Sequence, residues 1–171
     1  MRWAKIAANL LEVAILLFIA VACKSQMEEL SFETIAQGDV INYREDSPAL
    51  FVIANNNEID ALVPNVLSED PLLVDQLRQL DYDHFFAILV LQGQKGSTGY
   101  AVTVKQIVRQ GSQVMIKAEF VESSPGAFIK PAFTSPYHLV AISKERQWGQ
   151  EVKFVLVVND ESVAEASHFI P

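Results

Sequence analysis

Residues 85–100, FFAILVLQGQKGSTGY, contain the most informative strand and turn signals in the chain. The first seven are all apolar, and such a run, bounded by polar residues and glycine, predicts a central strand buried on both faces. The glycine-rich stretch 93–99 then predicts a loop, and Tyr100 begins an alternating strand. Because a strand and not a helix follows the glycines, and because Lys95 precedes Gly96 and Ser97, the stretch is typical of a hairpin loop and not of a phosphate-binding loop.

The patterns on either side predict more strands and two short helices. Apolar runs and alternation predict strands at residues 31–36, 40–43, 50–54, 114–120, 137–143 and 152–158. Ile107 follows Val104 by three positions, which breaks the alternation and predicts a β-bulge. Asn55 to Asn57 cap a first helix that Pro64 ends, and Asp70-Pro71 begins a second. We therefore predict a mainly β (α+β) chain: a single antiparallel β-sandwich or open-barrel domain with one or two covering helices.

The first 22 residues have the features of a signal peptide. Arg2 and Lys5 precede an uninterrupted apolar core of ten residues, 13–22, which ends in Ala20-Val21-Ala22. Ten apolar residues are too few for a membrane-spanning helix, which needs about 20. We expect residues 1–22 to be a signal peptide, residues 23–30 to be a tether, and residues 31–171 to be the folded domain.

Cys23 is the only cysteine and lies directly after this core. Its placement resembles the bacterial lipobox, in which the cysteine becomes the lipid-modified first residue of the mature protein. The resemblance implies that Cys23 carries a lipid anchor and that the protein lies in the cell envelope, on the outer membrane or periplasm side or at the cell surface. Ordinary cleavage at the same position, leaving a free thiol, is the alternative. A single cysteine excludes an intrachain disulfide.

The charge of the chain excludes some partners. The formal net charge is −8, and it becomes more negative once Arg2, Lys5 and Glu12 of the leader are removed. No run of five or more basic residues offsets this charge, so we expect no nucleic-acid partner.

Two motifs resemble a known family. The stretch Gly93 to Tyr100, and Thr134-Ser135-Pro136-Tyr137-His138 some 35 residues later, follow strand patterns in an order that resembles the C-terminal domain of the PrcB family. That family is named for a non-catalytic subunit of a bacterial surface protease complex, and the resemblance covers roughly residues 31–144. It implies a protein-binding module that assembles, matures or tethers a secreted protease.

The candidate partner-binding residues lie in the loops, where binding residues concentrate. Gly-rich and aromatic segments at 94–100 and 123–137 contain them. They are Lys95, Ser97, Thr98, Gly99, Tyr100, Phe128, Phe133 and Tyr137. Phe128 and Phe133 either fold back as a lid on the core, the interpretation we adopt, or are exposed to a partner.

No constellation in the sequence supports catalysis, a metal or a cofactor. There is no Gly-x-Ser-x-Gly elbow. Asp81, Asp83 and His84 form a solvated turn rather than a metal site, and we interpret His138 as a structural histidine.

Two other functions remain open. Thr98-Gly99-Tyr100 is similar to the Thr-Thr-Gly-Tyr loop of chagasin-type inhibitors of cysteine proteases, which implies a protease inhibitor. Trp148 and the loop aromatics are compatible with a glycan- or small-ligand-binding module, although Trp148 is better explained as a hairpin residue packed on its neighbours.

Overall fold

The structure is a computed structural model that describes residues 27–39, 41–68, 70–122, 130–145 and 148–171. The predicted signal peptide, Cys23 and Phe128 lie outside these residues. In the described residues the strands are Met27–Leu30 (β1), Phe32–Gly38 (β2), Ala49–Ile53 (β3), Phe85–Leu91 (β4), Lys95–Ser97 (β5), Ala101–Gln110 (β6), Gln113–Val121 (β7), Pro131–Thr134 (β8), Tyr137–Ser143 (β9), Gln150–Val158 (β10) and Glu161–Ile170 (β11). The helices are Asn56–Leu62 (α1) and Pro71–Gln79 (α2), with a π-helical turn at Val63–Leu67 between them.

The strands form an open sandwich, as the sequence predicted. A five-stranded sheet has the order β1-β6-β7-β10-β11, and a four-stranded sheet has the order β2-β9-β4-β3. Strands β5 and β8 form a separate two-stranded ribbon. The pairs are antiparallel except for β7 and β10, which run parallel. The domain is therefore mainly antiparallel, and β10 lies beside β7 in the same direction.

The molecule has three layers. Apolar side chains from both sheets fill the space between them, including Phe86, Ile88 and Phe154. The outer face of the four-stranded sheet packs against the helices, where Leu89 belongs to the same apolar cluster as Leu73 and Leu77. Strand β4 therefore contributes to both cores, which explains its continuous apolar run.

The helices begin as the sequence predicted, and α1 ends at Leu62, two residues before Pro64. The Asn55 side chain accepts a hydrogen bond from the Glu58 N–H, and Asp70 does the same for Leu73. After Leu62 the path continues as the π-helical turn, with Pro64 in its first turn. Proline cannot donate to an i−4 carbonyl and its ring clashes there, so the wider π turn accommodates it. Within the described residues, no helix has the length and apolar character needed to cross a membrane.

The amino-terminal strands connect the two sheets. Met27–Leu30 pairs with residues 107–110 of β6, and after Ser31 the chain continues as β2 beside β9 in the other sheet. The predicted tether is therefore shorter than residues 23–30, because four of these residues form a strand. The strand predicted at residues 31–36 also continues to Gly38.

The part of β6 that does not pair with β1 forms hydrogen bonds with side chains instead. The register of β6 on β7 shifts between Val104 and Gln106, which is the predicted bulge. Gln37 donates from Nε2 to the Val102 carbonyl and to the Thr103 hydroxyl, 3.0 Å away. The His138 ring accepts from the Val104 N–H. Backbone groups that would otherwise need a neighbouring strand are thus satisfied by side chains of β2 and β9.

Candidate functional site

The predicted loop after β4 begins at a glycine that no other residue can replace without strain. Gly93 has φ +88°, and a Cβ placed on it would lie 2.2 Å from the Asp46 carbonyl oxygen. The next residue, Gln94, donates its N–H to the Glu45 carbonyl at 2.7 Å. The close approach of the two chain segments therefore requires glycine here, and it sets the direction in which the chain leaves the core.

The segments predicted as loops form the two-stranded ribbon. Lys95 pairs with Thr134 and Ser97 with Pro131, and the Thr134 hydroxyl donates to the Ser97 carbonyl at 3.0 Å. The Thr98 N–H donates to the Lys130 carbonyl, and the Lys130 N–H donates to the Thr98 hydroxyl, both at 3.1 Å. Ser97 and Thr98 thus hold the ribbon together.

These hydrogen bonds are relevant to the resemblance between Thr98-Gly99-Tyr100 and the loop of chagasin-type inhibitors. The N–H and the hydroxyl oxygen of Thr98 are both used inside the ribbon. Gly99, with φ +101°, is exposed, and Tyr100 is half-buried with the Lys95 Nζ 5.7 Å from its ring centroid. The three residues Thr98-Gly99-Tyr100 form the connection between β5 and β6.

Phe133 is exposed, which contradicts its predicted role as a lid. Its side chain is 82% accessible, the most exposed of the large apolar residues in the described part of the chain. It lies in β8, where Pro131 and Ala132 are also exposed. Of the two predicted loop phenylalanines, Phe133 is therefore the one whose exposure the structure establishes.

Tyr137 is not available to a partner, so its assignment as a partner-binding residue is corrected. Only 4% of it is exposed, and it belongs to the helix-side core. Its hydroxyl donates to Asp70 Oδ2 at 3.3 Å, while Asp70 Oδ1 caps α2. Burial, and then the negative charge of Asp70, raise the pKa of Tyr137 to about 12. Tyr137 therefore ties β9 to the start of α2.

The rest of the Thr134–His138 motif is also structural. The N–H of Ser135 donates to the Asp39 carbonyl, and its hydroxyl donates to the Tyr43 carbonyl. The Pro136 carbonyl accepts from the Gln92 N–H at 3.1 Å. These bonds hold the start of β9 against the segments that follow β2 and β4.

His138 is a buried structural histidine, as predicted. Nδ1 accepts from the Val104 N–H at 2.8 Å, so the ring proton lies on Nε2, which is 2.9 Å from the Thr34 hydroxyl. Burial lowers the pKa of His138, because the charged ring would lose hydration. The histidine is held neutral in one tautomer.

Two clefts share the residues Asn42 and Arg44, and the smaller of them lies beside the ribbon. The smaller one, about 370 Å³, is lined by Ile41, Asn42, Arg44, Gln94, Phe133 and Ser135. The larger one, about 600 Å³, lies between the segment 42–45 and the α1–π-turn region, where Ala61, Leu62, Asn65 and Val66 line it. Asn42 and Arg44 border both. Sequence reasoning missed Arg44, Asn42 and Gln94, since nothing in the local pattern around a single polar residue shows that distant segments will enclose it.

The other sites considered in the sequence are also structural. Asp81 Oδ2 is 2.8 Å from His84 Nδ1, and Asp81 Oδ1 accepts from the Asp83 N–H, so the group forms a turn as predicted. The hydrogen bond to His84 is the main reason that the pKa of Asp81 is lowered. Within the described residues, no three His, Cys, Asp or Glu side chains cluster as metal ligands would.

Trp148 packs on its neighbours, which is the interpretation that the sequence favoured. Its ring centroid is 5.0 Å from that of Phe86 in an edge-on arrangement, and the Arg109 guanidinium lies 4.2 Å from the ring. The indole therefore completes one end of the core between the sheets.

Comparison with known proteins supports the family resemblance for part of the chain. Residues 86–143 match the family model described as PrcB C-terminal. The predicted resemblance to the PrcB C-terminal domain is confirmed for this segment, which runs from β4 to the end of β9. No curated protein and no solved structure matches the chain. The match suggests a role related to a protease complex, and it includes the ribbon and Phe133.

Proposed function

We propose that the protein is a non-catalytic, protein-binding module of the cell envelope that assembles, matures or tethers a secreted protease. The match of residues 86–143 to the PrcB C-terminal family supports this proposal. The family is named for a non-catalytic subunit of a protease complex, and the matched segment includes the candidate partner-binding residues Lys95, Ser97, Thr98, Gly99, Tyr100, Phe128 and Phe133.

The observation that carries the proposal is an exposed aromatic side chain on a well-supported strand. Phe133 is 82% accessible, while its ribbon is anchored through Thr134, Ser135 and Thr98. Aromatic residues on a preorganised surface supply much of the binding free energy of protein interfaces, because little conformational entropy is lost when they are buried. The ribbon meets this condition.

The proposed location in the cell envelope follows from the predicted signal peptide and from Cys23. Residues 1–22 act as the signal peptide, and Cys23 carries the lipid that holds the domain on a membrane. Lipid anchors attach through buried acyl chains and leave the domain free to bind its partner in the envelope.

The test is photo-cross-linking in the native cells. A benzophenone amino acid replaces Phe133 in one chain and Phe169, which is exposed on β11, in a control chain. We expect an envelope protein cross-linked through position 133 and not through position 169, and membrane association lost in Cys23→Ala. If neither position cross-links an envelope protein, the proposed function is contradicted. If the Cys23→Ala chain stays in the membrane fraction, the proposed lipid anchor is contradicted.

A further inference from the structure

The smaller cleft combines one positive charge with one exposed aromatic side chain. We call it the Arg44 cleft and define it by the six lining residues Ile41, Asn42, Arg44, Gln94, Phe133 and Ser135. Arg44 is the only charged residue among the six. The nearest acidic neighbour in sequence, Glu45, lines the larger cleft, which Arg44 also borders, and is not among these six residues.

Arg44 retains most of its hydrogen-bonding capacity. Its Nε donates to Asn42 Oδ1 at 3.0 Å, which orients the guanidinium group. Within the described ranges it forms no ion pair, whereas Arg78 on α2 contacts Asp60 at 2.7 Å. A planar guanidinium with free terminal N–H groups matches a carboxylate in two-point geometry.

The negative charge of the whole chain distinguishes Arg44 from most of the surface as a binding position for an acidic segment. With a formal net charge of −8, most of the surface repels an acidic segment. Among the residues that the structure describes, Arg44 has no acidic partner and its cleft has no acidic lining residue, so an acidic segment is attracted there. Charge complementarity of this kind sets the register and orientation of a partner.

The shape of the site favours an extended polypeptide. The Arg44 cleft is small, but the larger cleft continues on the far side of Asn42 and Arg44 toward Leu62. Together they form a path that passes Phe133, then Arg44, and then α1. An extended segment presents successive side chains to such a path, with an apolar one available to Phe133.

We infer that the Arg44 cleft binds an extended acidic segment of a protein partner, with a carboxylate on Arg44 and a neighbouring apolar side chain against Phe133. This inference rests on the proposed function, because it specifies the chemistry by which the partner docks.

The test uses the full chain in detergent and random dodecapeptides displayed on phage. Peptides are selected on the parent chain and then measured by fluorescence polarisation, each beside a copy with Gln and Asn in place of Glu and Asp. The variants are Arg44→Gln, Arg44→Lys and Phe133→Ser, with Arg78→Gln as the matched control. Arg44 and Phe133 are exposed, so their replacement leaves the core intact.

We expect enrichment of peptides with Asp or Glu beside an apolar residue. Arg44→Gln should weaken their binding about tenfold or more, the cost of losing a charge-assisted pair, whereas Arg44→Lys should recover part of it. The amide copies should bind the parent weakly and be insensitive to position 44, and Arg78→Gln should bind like the parent. Phe133→Ser should weaken binding of every selected peptide.

Enrichment of basic or purely apolar peptides, or equal binding by Arg44→Gln and the parent, would overturn the inference. If position 133 still cross-links an envelope protein in cells, the proposed function survives that failure. If no envelope protein cross-links at either position and no acidic peptide is selected, both fail.

Discussion

At the residue scale, a single buried histidine joins the two sheets. His138 on β9 accepts the Val104 N–H of β6 and donates toward Thr34 of β2. The bond falls at the bulge, where β6 has no strand partner on that side within the described residues. An imidazole is suited to this position because its neutral form provides one acceptor and one donor on opposite sides of the ring.

Acidification should weaken the fold through this residue. Because burial lowers its folded-state pKa below the usual 6.5, His138 takes up a proton in the unfolded chain before it does so in the native chain. The unfolding free energy should therefore fall as the pH drops from 6.5 to the folded-state pKa. His138→Leu should lose about 1–3 kcal/mol at pH 8, since it leaves a buried N–H unpaired, and its stability should depend less on pH.

Urea unfolding at pH 8, 6.5 and 5 measures both effects. The control is His84→Gln, whose side chain is 75% accessible and whose replacement should change stability little. A constant difference in unfolding free energy between the parent and His138→Leu over this range would contradict the assignment.

At the element scale, the direction of the ribbon depends on the turn after β4. Gly93 permits a positive φ and contact with the Asp46 backbone, while Gly96 inside β5 has no heavy atom within 4 Å of an added Cβ. The two glycines look equivalent in the motif, yet only the first is required by the backbone.

The pair Gly93→Ala and Gly96→Ala therefore forms a matched test. We expect Gly93→Ala to lose more than about 2 kcal/mol of unfolding free energy, since the methyl group would overlap a backbone carbonyl and the φ is strained. Gly96→Ala should stay within about 0.5 kcal/mol of the parent. Chemical denaturation measures both variants, and equal losses would show that the contact with Asp46 is not tight.

Strand β11 shows how an element was missed. The last predicted strand ends at residue 158, but Asn159 and Asp160, both with positive φ, form a two-residue turn into Glu161–Ile170. Asn and Asp are the non-glycine residues that tolerate this conformation, so the turn signal was present. His168 lies on this strand with its Nε2 3.2 Å from Glu58 Oε1.

At the scale of the whole molecule, the sandwich depends on a chain that crosses between the sheets. Strand β1 pairs with β6, and β2 pairs with β9, with only Ser31 between them. Leu30 lies in the core between the sheets. Such a crossing closes one corner of a sandwich.

Removing β1 should destabilise the domain even though it looks like part of a tether in the sequence. We expect a chain that begins at residue 31 to lose at least about 2 kcal/mol of unfolding free energy relative to a chain that begins at residue 27. That loss corresponds to the burial of Leu30 and leaves the β6 edge unpaired. Urea unfolding compares the two chains, and identical midpoints would mean that β1 contributes no stability.

The class of fold and the position of the family motif could be predicted from the sequence, because both depend on local patterns. The apolar run of β4, the caps at Asn55 and Asp70, and the bulge near Val104 follow from side-chain periodicity and hydrogen-bonding groups within a few residues. The burial of Tyr137 and the exposure of Phe133 became visible only in the folded chain. The same is true of the cleft that Arg44 lines beside Phe133. Burial and charge pairing depend on which distant segments meet, and no local pattern carries that information.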